Sequence, residues 1–468
     1  MIAKNNLIKI HDWLWEIPKS FRADMRVACR IYASEKMLDE IFRDRSLEQL
    51  INVSILPGII NFAIAMPDIH EGYGFPIGGV AAFDENEGVI SPGGIGYDIN
   101  CGVRLLRSEK KFDEIKSYLE KLGSAFYKEI PSGVGRGGRL NLKGKDFNAV
   151  LKDGAKRMIE MGYGKVEDLE NLESSGFLEN ADPAFVSETA KKRGKDQLGT
   201  MGAGNHFVEI DKVENIFDEN EAKRLGLFQD QVVILIHTGS RGLGHQIATD
   251  YIKIMMMSLI KYKINLPDRE LAYAPFKSKE GQDYFSAMSA GANFAWANRQ
   301  LITWEARKAW NDVLGKEGGN LKIIYDVAHN IAKIEEHSVN AGKRKLVLHR
   351  KGATRSFPAQ PVLIPGSMGT GSYVLVGEEK SMKESFGSTC HGAGRRMSRH
   401  QAKREIRGSE LKERLEREGI VINAGSFSGL AEEAPEAYKD IDEVVEIVYK
   451  AGIAKKVSRL KPIAVIKG

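Results

Sequence analysis

Five side chains of types that bind transition metals lie in glycine-rich segments or close to short apolar runs. They are Asp98, Cys101, His206, His237 and His329. Carboxylate, thiolate and imidazole groups are the protein ligands of such metals, and a catalytic centre usually draws them from several parts of a chain. The residue types and their settings therefore indicate a metal centre assembled from distant segments.

A sixth reactive side chain, His391, lies in the segment Cys-His-Gly-Ala-Gly, which ends at Gly394 and is followed by Arg395 and Arg399. A neutral imidazole, with an ordinary pKa of about 6.5, is a competent nucleophile near neutral pH. Glycines let a bulky electrophile approach the backbone, and guanidinium groups match the geometry of phosphate. The segment is therefore a candidate for nucleophilic attack on a phosphate compound.

Each of these residues taken singly has a more common explanation. Cys101 with Asp98 fits a buried structural cysteine beside a turn-forming aspartate, and His391 fits a loop histidine before a basic helix. A thiolate with several imidazoles also favours zinc, because manganese prefers carboxylate and water ligands. The hypothesis of a catalytic metal centre depends on the occurrence of all these residues in one chain.

Strands and helices alternate around these residues without a regular rhythm. Apolar, β-branched runs predict strands and 3.6-residue periodicity predicts helices. The predicted strands are 231–236, 321–327 and 457–466, and the predicted helices are 112–122, 293–313, 410–418 and 441–449. No repeat or linker marks a boundary, so we expect one large domain over residues 1–468. Its expected fold class is mixed α/β (α+β), with central β-sheets flanked by helices.

The composition is that of an ordinary globular protein. Hydrophobic residues make up 42% and charged residues 28% of the 468 residues, which excludes a chain that is disordered as a whole. No apolar stretch approaches the ~18 residues that span a membrane. Three cysteines are too few for a disulfide framework, and we expect a cytoplasmic protein. The net charge of +5 permits nucleic-acid binding without arguing for it.

Seven ordered motifs and a lysine near the C-terminus resemble the RtcB family of RNA ligases, and the resemblance covers essentially the whole chain. The motifs are MPDIHEGYGFPIGG from Met66, GGIGYDINCGVR from Gly93, QLGTMGAGNHFVEI from Gln197, HTGSRGLGH from His237, DVAHN from Asp326, PGSMGTGSYV from Pro365 and CHGAGRRMSR from Cys390, and the lysine is Lys467. The resemblance implies a GTP- and manganese-dependent ligase. It would join an RNA 3′-phosphate or 2′,3′-cyclic phosphate end to a 5′-hydroxyl end, in tRNA splicing and RNA repair.

The resemblance also implies a role for each candidate residue, with His391 forming a covalent guanylate. Cys101 would bridge two Mn²⁺ ions, with His237 and His329 on one ion and Asp98 and His206 on the other. The residues that would hold the guanosine nucleotide are Asn205, Phe207, Glu209, Ser367, Ser372, His391, Gly394, Tyr438 and Lys467. Those that would lie toward RNA phosphates are Arg241, Arg395 and Arg399.

Two other functions remain open at the level of sequence. The five metal-binding candidates alone would suffice for a cyclic phosphodiesterase that opens cyclic phosphates without ligation. A non-enzymatic RNA-binding factor would need neither the metal nor the histidine nucleophile. The partners implied by the resemblance are RNA, such as tRNA halves and broken RNA ends, then GTP and the accessory protein archease, with no membrane association.

Overall fold

The computed structural model describes residues 2–133, 135–339 and 342–468. These residues form nineteen strands and fourteen α-helices. The strands are β1 (Ile8–His11), β2 (Leu14–Ile17), β3 (Ala28–Tyr32), β4 (Ile59–His70), β5 (Ile77–Asp84), β6 (Val89–Ile90), β7 (Gly102–Lys111), β8 (Phe207–Ile216), β9 (Gln231–Thr238), β10 (Ala274–Pro275), β11 (Lys322–Ala328), β12 (Asn330–Val339), β13 (Gly342–Lys351), β14 (Ala353–Arg355), β15 (Pro361–Ile364), β16 (Ser372–Gly377), β17 (Ser388–Cys390), β18 (Val421–Ala424) and β19 (Ala454–Lys467). The helices are α1 (Glu35–Ile41), α2 (Ser46–Val53), α3 (Phe112–Ile115), α4 (Leu119–Glu129), α5 (Gly144–Glu160), α6 (Glu188–Gly194), α7 (Glu219–Leu225), α8 (Arg241–Lys261), α9 (Lys279–Leu314), α10 (Glu379–Glu384), α11 (Arg399–Glu405), α12 (Gly408–Arg417), α13 (Phe427–Glu432) and α14 (Ile441–Lys450).

Most strands belong to two large sheets. The first has the order β1-β2-β3-β4-β5-β13-β12, and the second has the order β11-β7-β9-β8-β19-β16-β15 with β18 added beside β19. Neighbouring strands in these sheets are antiparallel, except that β3 runs parallel to β4 and β18 parallel to β19. Two short pairs, β6 with β10 and β14 with β17, lie outside them. The fold class is mixed α/β, which confirms the prediction.

Four neighbouring strands of the second sheet each have one end on the same side of the sheet, and we call this row of strand ends the shared edge. β9 lies between β7 and β8, and it is buried throughout because the alternating side chains of its apolar run belong to two hydrophobic clusters, one on each face of the sheet. The first residue of β7, Gly102, pairs with Thr238 of β9 and with Ala328 of β11. The first residue of β8, Phe207, pairs with His237. The starts of β7 and β8 and the ends of β9 and β11 therefore meet.

The 36-residue helix α9 lies at the centre of the helical layer. Its residues are buried on nearly every face, and they include polar side chains such as Asn298, Arg299 and Gln300 beside apolar and small ones. It packs against α4, α5 and α8. Within the described ranges, no helix combines the length and the apolar character needed to cross a bilayer.

The predicted elements are present, with some boundaries moved. β9, β11 and β19 correspond to the three predicted strands, and α12 and α14 to the last two predicted helices. The helix predicted at 293–313 begins earlier, at Lys279, where the Ser278 side chain caps it by accepting a hydrogen bond from a backbone N–H. The helix predicted at 112–122 is divided, because a 3-10 turn at Lys116–Tyr118 separates α3 from α4.

Candidate active site

The five predicted metal ligands converge at the shared edge of the second sheet. The Sγ of Cys101 lies 3.3 Å from Nε2 of both His206 and His237, and Nε2 of His237 lies 3.3 Å from Nε2 of His329. Oδ2 of Asp98 lies 2.8 Å from Nε2 of His206. Two groups of three ligand atoms result, each with its atoms within 4.8 Å of one another, and the sulfur belongs to both.

The chemistry of these donor atoms suits bound cations. Burial lowers the pKa of His237 and of His329, which keeps both rings neutral, with lone pairs to offer. Nδ1 of His206 lies 3.1 Å from the carbonyl oxygen of Met201 and 2.9 Å from the guanidinium of Arg241, whereas its Nε2 faces the sulfur of Cys101. Burial raises the pKa of the Cys101 thiol, so a thiolate here requires a nearby cation. The residues therefore fit two cations that share the sulfur.

A carboxylate completes the second ligand group. Burial opposes ionisation of Asp98, but His206 and Arg241 outweigh it and hold the pKa of that carboxyl well below its usual range. Oδ1 of Asp98 accepts a hydrogen bond from the backbone N–H of Ser240 at 3.0 Å, which leaves Oδ2 turned toward the imidazole. Asp98 is therefore an ionised candidate ligand whose orientation is fixed.

A buried arginine holds the backbone beside the metal-binding residues. Arg299 of α9 donates hydrogen bonds to both carboxylate oxygens of Asp326. It also donates to the backbone carbonyls of Asn100 at 2.8 Å and Thr238 at 2.9 Å. These carbonyls belong to the neighbours of Cys101 and His237 in the chain, so the arginine fixes both segments. Separating the buried Arg299 and Asp326 would leave two unpaired charges in the core at a high cost in free energy, so the arrangement is rigid.

Arg241 lies behind the metal-binding cluster. Its guanidinium packs against the loop at Gly202, where an added Cβ would overlap it. Its φ of 53° lies in the left-handed region that non-glycine residues rarely adopt, and such strain is often found at functional sites. The guanidinium contacts the ring of His206 and is not among the residues that line the cavity. Its predicted role toward RNA phosphates stays a prediction.

His391 lies next to the cluster and is oriented by Asp68, which sequence reasoning missed. The ring centroids of His391 and His329 are 4.9 Å apart. Nδ1 of His391 lies 2.5 Å from Oδ2 of the buried Asp68 on β4, and the backbone N–H of His391 donates to the same oxygen. An Nδ1–H that donates to this carboxylate leaves Nε2 with a free lone pair. Asp68 is 323 positions away in the chain, and its place in the motif from Met66 is the signal that could have indicated it.

Gly394 allows the loop of His391 to approach β4 closely. Its φ is +73°, and a Cβ at this position would lie 2.3 Å from the carbonyl oxygen of Asp68. Any other residue would push the loop away and disturb the pairing of Asp68 with His391. The predicted nucleotide-binding glycine therefore also has a structural reason to be glycine.

A cavity of about 340 Å³ joins the metal-binding cluster to His391, a size typical of small-ligand sites. Seven of the predicted nucleotide-binding residues line it, namely Asn205, Phe207, Ser367, His391, Gly394, Tyr438 and Lys467. The other two, Glu209 and Ser372, are buried outside its lining. The hydroxyl of Ser372 accepts a hydrogen bond from the backbone N–H of Gly366 and so shapes the loop that does line the cavity.

One wall of the cavity is built around Lys467, the last residue of β19. Its ammonium lies 5.9 Å from the ring centroid of Phe207. Burial lowers the pKa of Lys467, and the carboxylates of Glu433 and Glu209 oppose that shift. Burial raises the pKa of Glu209, and its Oε1 has no hydrogen-bond partner among the described residues. A buried cation beside a buried, unpartnered carboxyl can recognise a polar heterocycle.

Arg395 and Arg399 line the cavity beside Glu433, a second residue that sequence reasoning missed. Arg395 donates to the hydroxyl of Tyr438 at 2.9 Å and to Glu433 at 3.3 Å. Arg399 has a half-exposed side chain and lies 3.6 Å from the same carboxylate. The carboxylate therefore gathers both arginines at this wall, and their contact with RNA phosphates stays a prediction.

The chain is similar to known proteins over nearly its whole length. Residues 49–468 match the family model described as tRNA-splicing ligase RtcB. Curated proteins named tRNA-splicing ligase RtcB are 54% identical in Thermococcus kodakarensis and 51% identical in Archaeoglobus fulgidus. A third, from Nanoarchaeum equitans, is 52% identical. Each comparison covers 99% of this chain and 99% of the relative. The chain therefore belongs to the RtcB family of tRNA-splicing ligases.

Proposed function

We propose that this RNA ligase of tRNA splicing and RNA repair joins a 3′-phosphate or 2′,3′-cyclic phosphate end to a 5′-hydroxyl end, and that it uses GTP and two Mn²⁺ ions. One observation carries the proposal. A single cavity is lined by Cys101, whose sulfur belongs to both ligand groups, and by His391, whose Nδ1 is engaged by Asp68.

In this proposal His391 is the nucleophile. Its Nε2 attacks the α-phosphorus of GTP, so that a P–N bond forms while the P–O bond to pyrophosphate breaks. Asp68 keeps the proton on Nδ1 and stabilises the positive charge that develops on the ring. An oxygen of the RNA 3′-phosphate then attacks the guanylate phosphorus, so that a P–O bond forms, the P–N bond to His391 breaks and the RNA end becomes an activated anhydride. The incoming 5′-hydroxyl loses its proton and attacks the RNA phosphorus of this anhydride, so that the phosphodiester bond forms while the P–O bond to GMP breaks.

The residues that would hold the two ions are Asp98, Cys101, His206, His237 and His329. Bound divalent cations would neutralise charge on phosphate oxygens and acidify a bound water, the chemistry needed to open a cyclic phosphate. Manganese is taken from the family resemblance, because thiolate and imidazole ligands by themselves favour zinc.

The nucleotide would lie along the wall formed by β8 and β19. The residues proposed to hold it are Asn205, Phe207, Glu209, Ser367, Ser372, Gly394, Tyr438 and Lys467. The support is the buried ammonium of Lys467 beside Oε1 of Glu209, which has no hydrogen-bond partner among the described residues, since a guanine base offers complementary donors and acceptors. Arg241, Arg395 and Arg399 are proposed to lie toward RNA phosphates, whose geometry guanidinium groups match.

We also propose one domain over residues 1–468, a cytoplasmic location, and RNA ends and archease as partners. Core residues of both large sheets belong to one hydrophobic cluster, which supports a single domain. Cys29, Cys101 and Cys390 are free and buried, which fits a reducing compartment. The archease partner comes from the resemblance alone.

The test is ligation of a 5′-hydroxyl RNA to a 3′-phosphate RNA and to a cyclic-phosphate RNA, with GTP and Mn²⁺ each omitted in turn. Product is expected only when both are present. His391→Ala should abolish labelling of the protein by α-labelled GTP while the metal content stays unchanged. An acid-labile label that persists in this variant would refute the nucleophile.

A cyclic phosphodiesterase without ligation would need the metal-binding cluster only. It gives no role to the pairing of Asp68 with His391 or to the buried Lys467 at the cavity wall. Opening of a cyclic phosphate by a protein that never acquires label from GTP would favour it over the ligase.

A further inference from the structure

The wall of the cavity contains two tyrosines to which the proposed function gives no role. Tyr73 and Tyr97 line the cavity together with His391 and four of the five metal-binding candidates, Asp98, Cys101, His237 and His329. Tyr97 directly precedes the metal-binding candidate Asp98 in the chain. The proposed guanosine-binding residues lie on other elements, with Phe207 on β8 and Lys467 on β19.

The two tyrosine rings and the ring of His245 of α8 form a chain of aromatic contacts. The rings of Tyr97 and His245 are stacked, with centroids 4.8 Å apart and planes inclined by 27°. Tyr73 meets Tyr97 edge to face, with centroids 5.6 Å apart and an angle of 67°. His245 is exposed and both tyrosines are partly exposed. We call these three rings the aromatic platform.

The aromatic platform is held in place by the backbone. The carbonyl of Tyr73 accepts a hydrogen bond from the buried ammonium of Lys351 at 2.8 Å. Tyr97 lies between Gly96, which has a φ of +96°, and Asp98, which is itself fixed by Ser240. Large aromatic rings that remain accessible in a cavity, instead of packing into the core, are typical of ligand sites.

We propose that the aromatic platform stacks on a nucleobase of an RNA end during ligation. This inference rests on the proposed function. Proteins that bind single-stranded RNA stack unpaired bases on Tyr and His rings, and stacking tolerates any base because each has a π face. Since Tyr97 lines the same cavity as Asp98 and Cys101, a base on this ring places its own phosphates beside the metal-binding cluster. The platform therefore positions the RNA end and does not take part in bond formation.

The first test compares substitutions that keep or remove the π face. Tyr97→Leu and Tyr73→Leu keep much of the apolar volume and remove stacking, whereas Tyr97→Phe keeps the ring. The KM for RNA is expected to rise roughly 5- to 150-fold in each Leu variant, the range for loss of one stacked base, and Phe should restore most of the affinity. Tyr449→Leu, at an exposed tyrosine of α14, is the matched control and should change nothing.

Labelling of His391 by α-labelled GTP shows whether the rings stack on a base of the RNA or on the guanine of GTP. The proposal expects the Leu variants to acquire label at the rate of the wild-type protein, because only the RNA step uses the rings. Equal losses in labelling and in ligation would overturn the proposal and assign the rings to guanine. A wild-type KM for RNA in both Leu variants would overturn it as well.

The second test uses the wild-type protein and abasic RNA, so it does not depend on the folding of a variant. One substrate lacks the base at its 3′-terminal nucleotide and another lacks the base at its 5′-terminal nucleotide. The proposal expects the KM of one abasic substrate to rise by the same factor as the Tyr97→Leu substitution causes with intact RNA. Tyr97→Leu should then cause no further rise with that abasic substrate. The substrate that behaves in this way identifies the RNA end whose base is stacked. Full ligation of both abasic substrates would overturn it. Absence of ligation with intact RNA would instead refute the proposed function.

Discussion

At the scale of single residues, the orientation of His391 decides whether the site can do nucleophilic chemistry. Both ring nitrogens of a histidine can carry the proton, and only the unprotonated nitrogen can attack. Asp68 accepts from Nδ1 and from the backbone N–H of the same residue, so it fixes the ring and its proton together. Oδ1 of Asp68 has no hydrogen-bond partner among the described residues, so the hydrogen bonds of this carboxylate there are those that Oδ2 accepts from His391.

We expect Asp68→Asn to reduce labelling by α-labelled GTP by roughly a hundredfold or more, because a neutral amide neither fixes the tautomer nor stabilises the charged ring. The metal content should stay at the wild-type level, since Asp68 is outside both ligand groups. Labelling rate and metal content measured on the same preparation check the prediction. A variant that acquires label at the wild-type rate would show that Asp68 is a structural residue only.

At the scale of secondary-structure elements, the order of strands explains how the site is assembled. β11, β7, β9, β8 and β19 are neighbours, and one end of each lies at the same sheet edge. The first four carry or adjoin metal-binding candidates. The fifth ends at Lys467, which pairs in register with Phe207. The metal-binding candidates and the proposed nucleotide-binding residues therefore follow one another along one edge.

The strands were predictable because their signal is local. The apolar runs that became β9 and β11 follow from residue types within a few positions, as do the histidines at their ends. The first turns of α9 were missed, because Gly, Ser and Ala dominate there and burial against other helices stabilises them. Asp68 and Glu433 were missed because their partners are brought close by tertiary packing, which leaves no spacing pattern in the sequence.

We expect Lys467→Gln to raise the KM for GTP by roughly tenfold or more, the usual effect of losing a charged hydrogen-bonding partner. The change removes the cation that faces Glu209 and Glu433, while the backbone pairing of β19 with β8 remains. Lys461→Gln lies on the same strand with an exposed side chain and is the matched control. Labelling by GTP at a series of concentrations and a thermal melt of each variant provide the measurement. An unchanged KM would remove Lys467 from the nucleotide site.

At the scale of the whole molecule, the metal-binding cluster ties together segments that are far apart in the chain. Its five residues belong to the loop before β7, the start of β8, the end of β9 and the junction of β11 with β12. An unfolded chain presents no such cluster, so a cation that binds here stabilises the folded state alone. The stability of the protein and the occupancy of the site are therefore linked.

We expect Mn²⁺ to raise Tm by a few degrees and a chelator to reverse the change, because binding at a hundred times Kd adds about 2.7 kcal/mol to the free energy of unfolding. Cys101→Ser should remove the effect of both ions together, since the sulfur belongs to both ligand groups. Cys29→Ser replaces an equally buried cysteine outside the site, and its Tm should still respond to Mn²⁺. Melting curves and metal analysis across a titration measure this. If Cys101→Ser retains one tightly bound ion, the sulfur does not bridge.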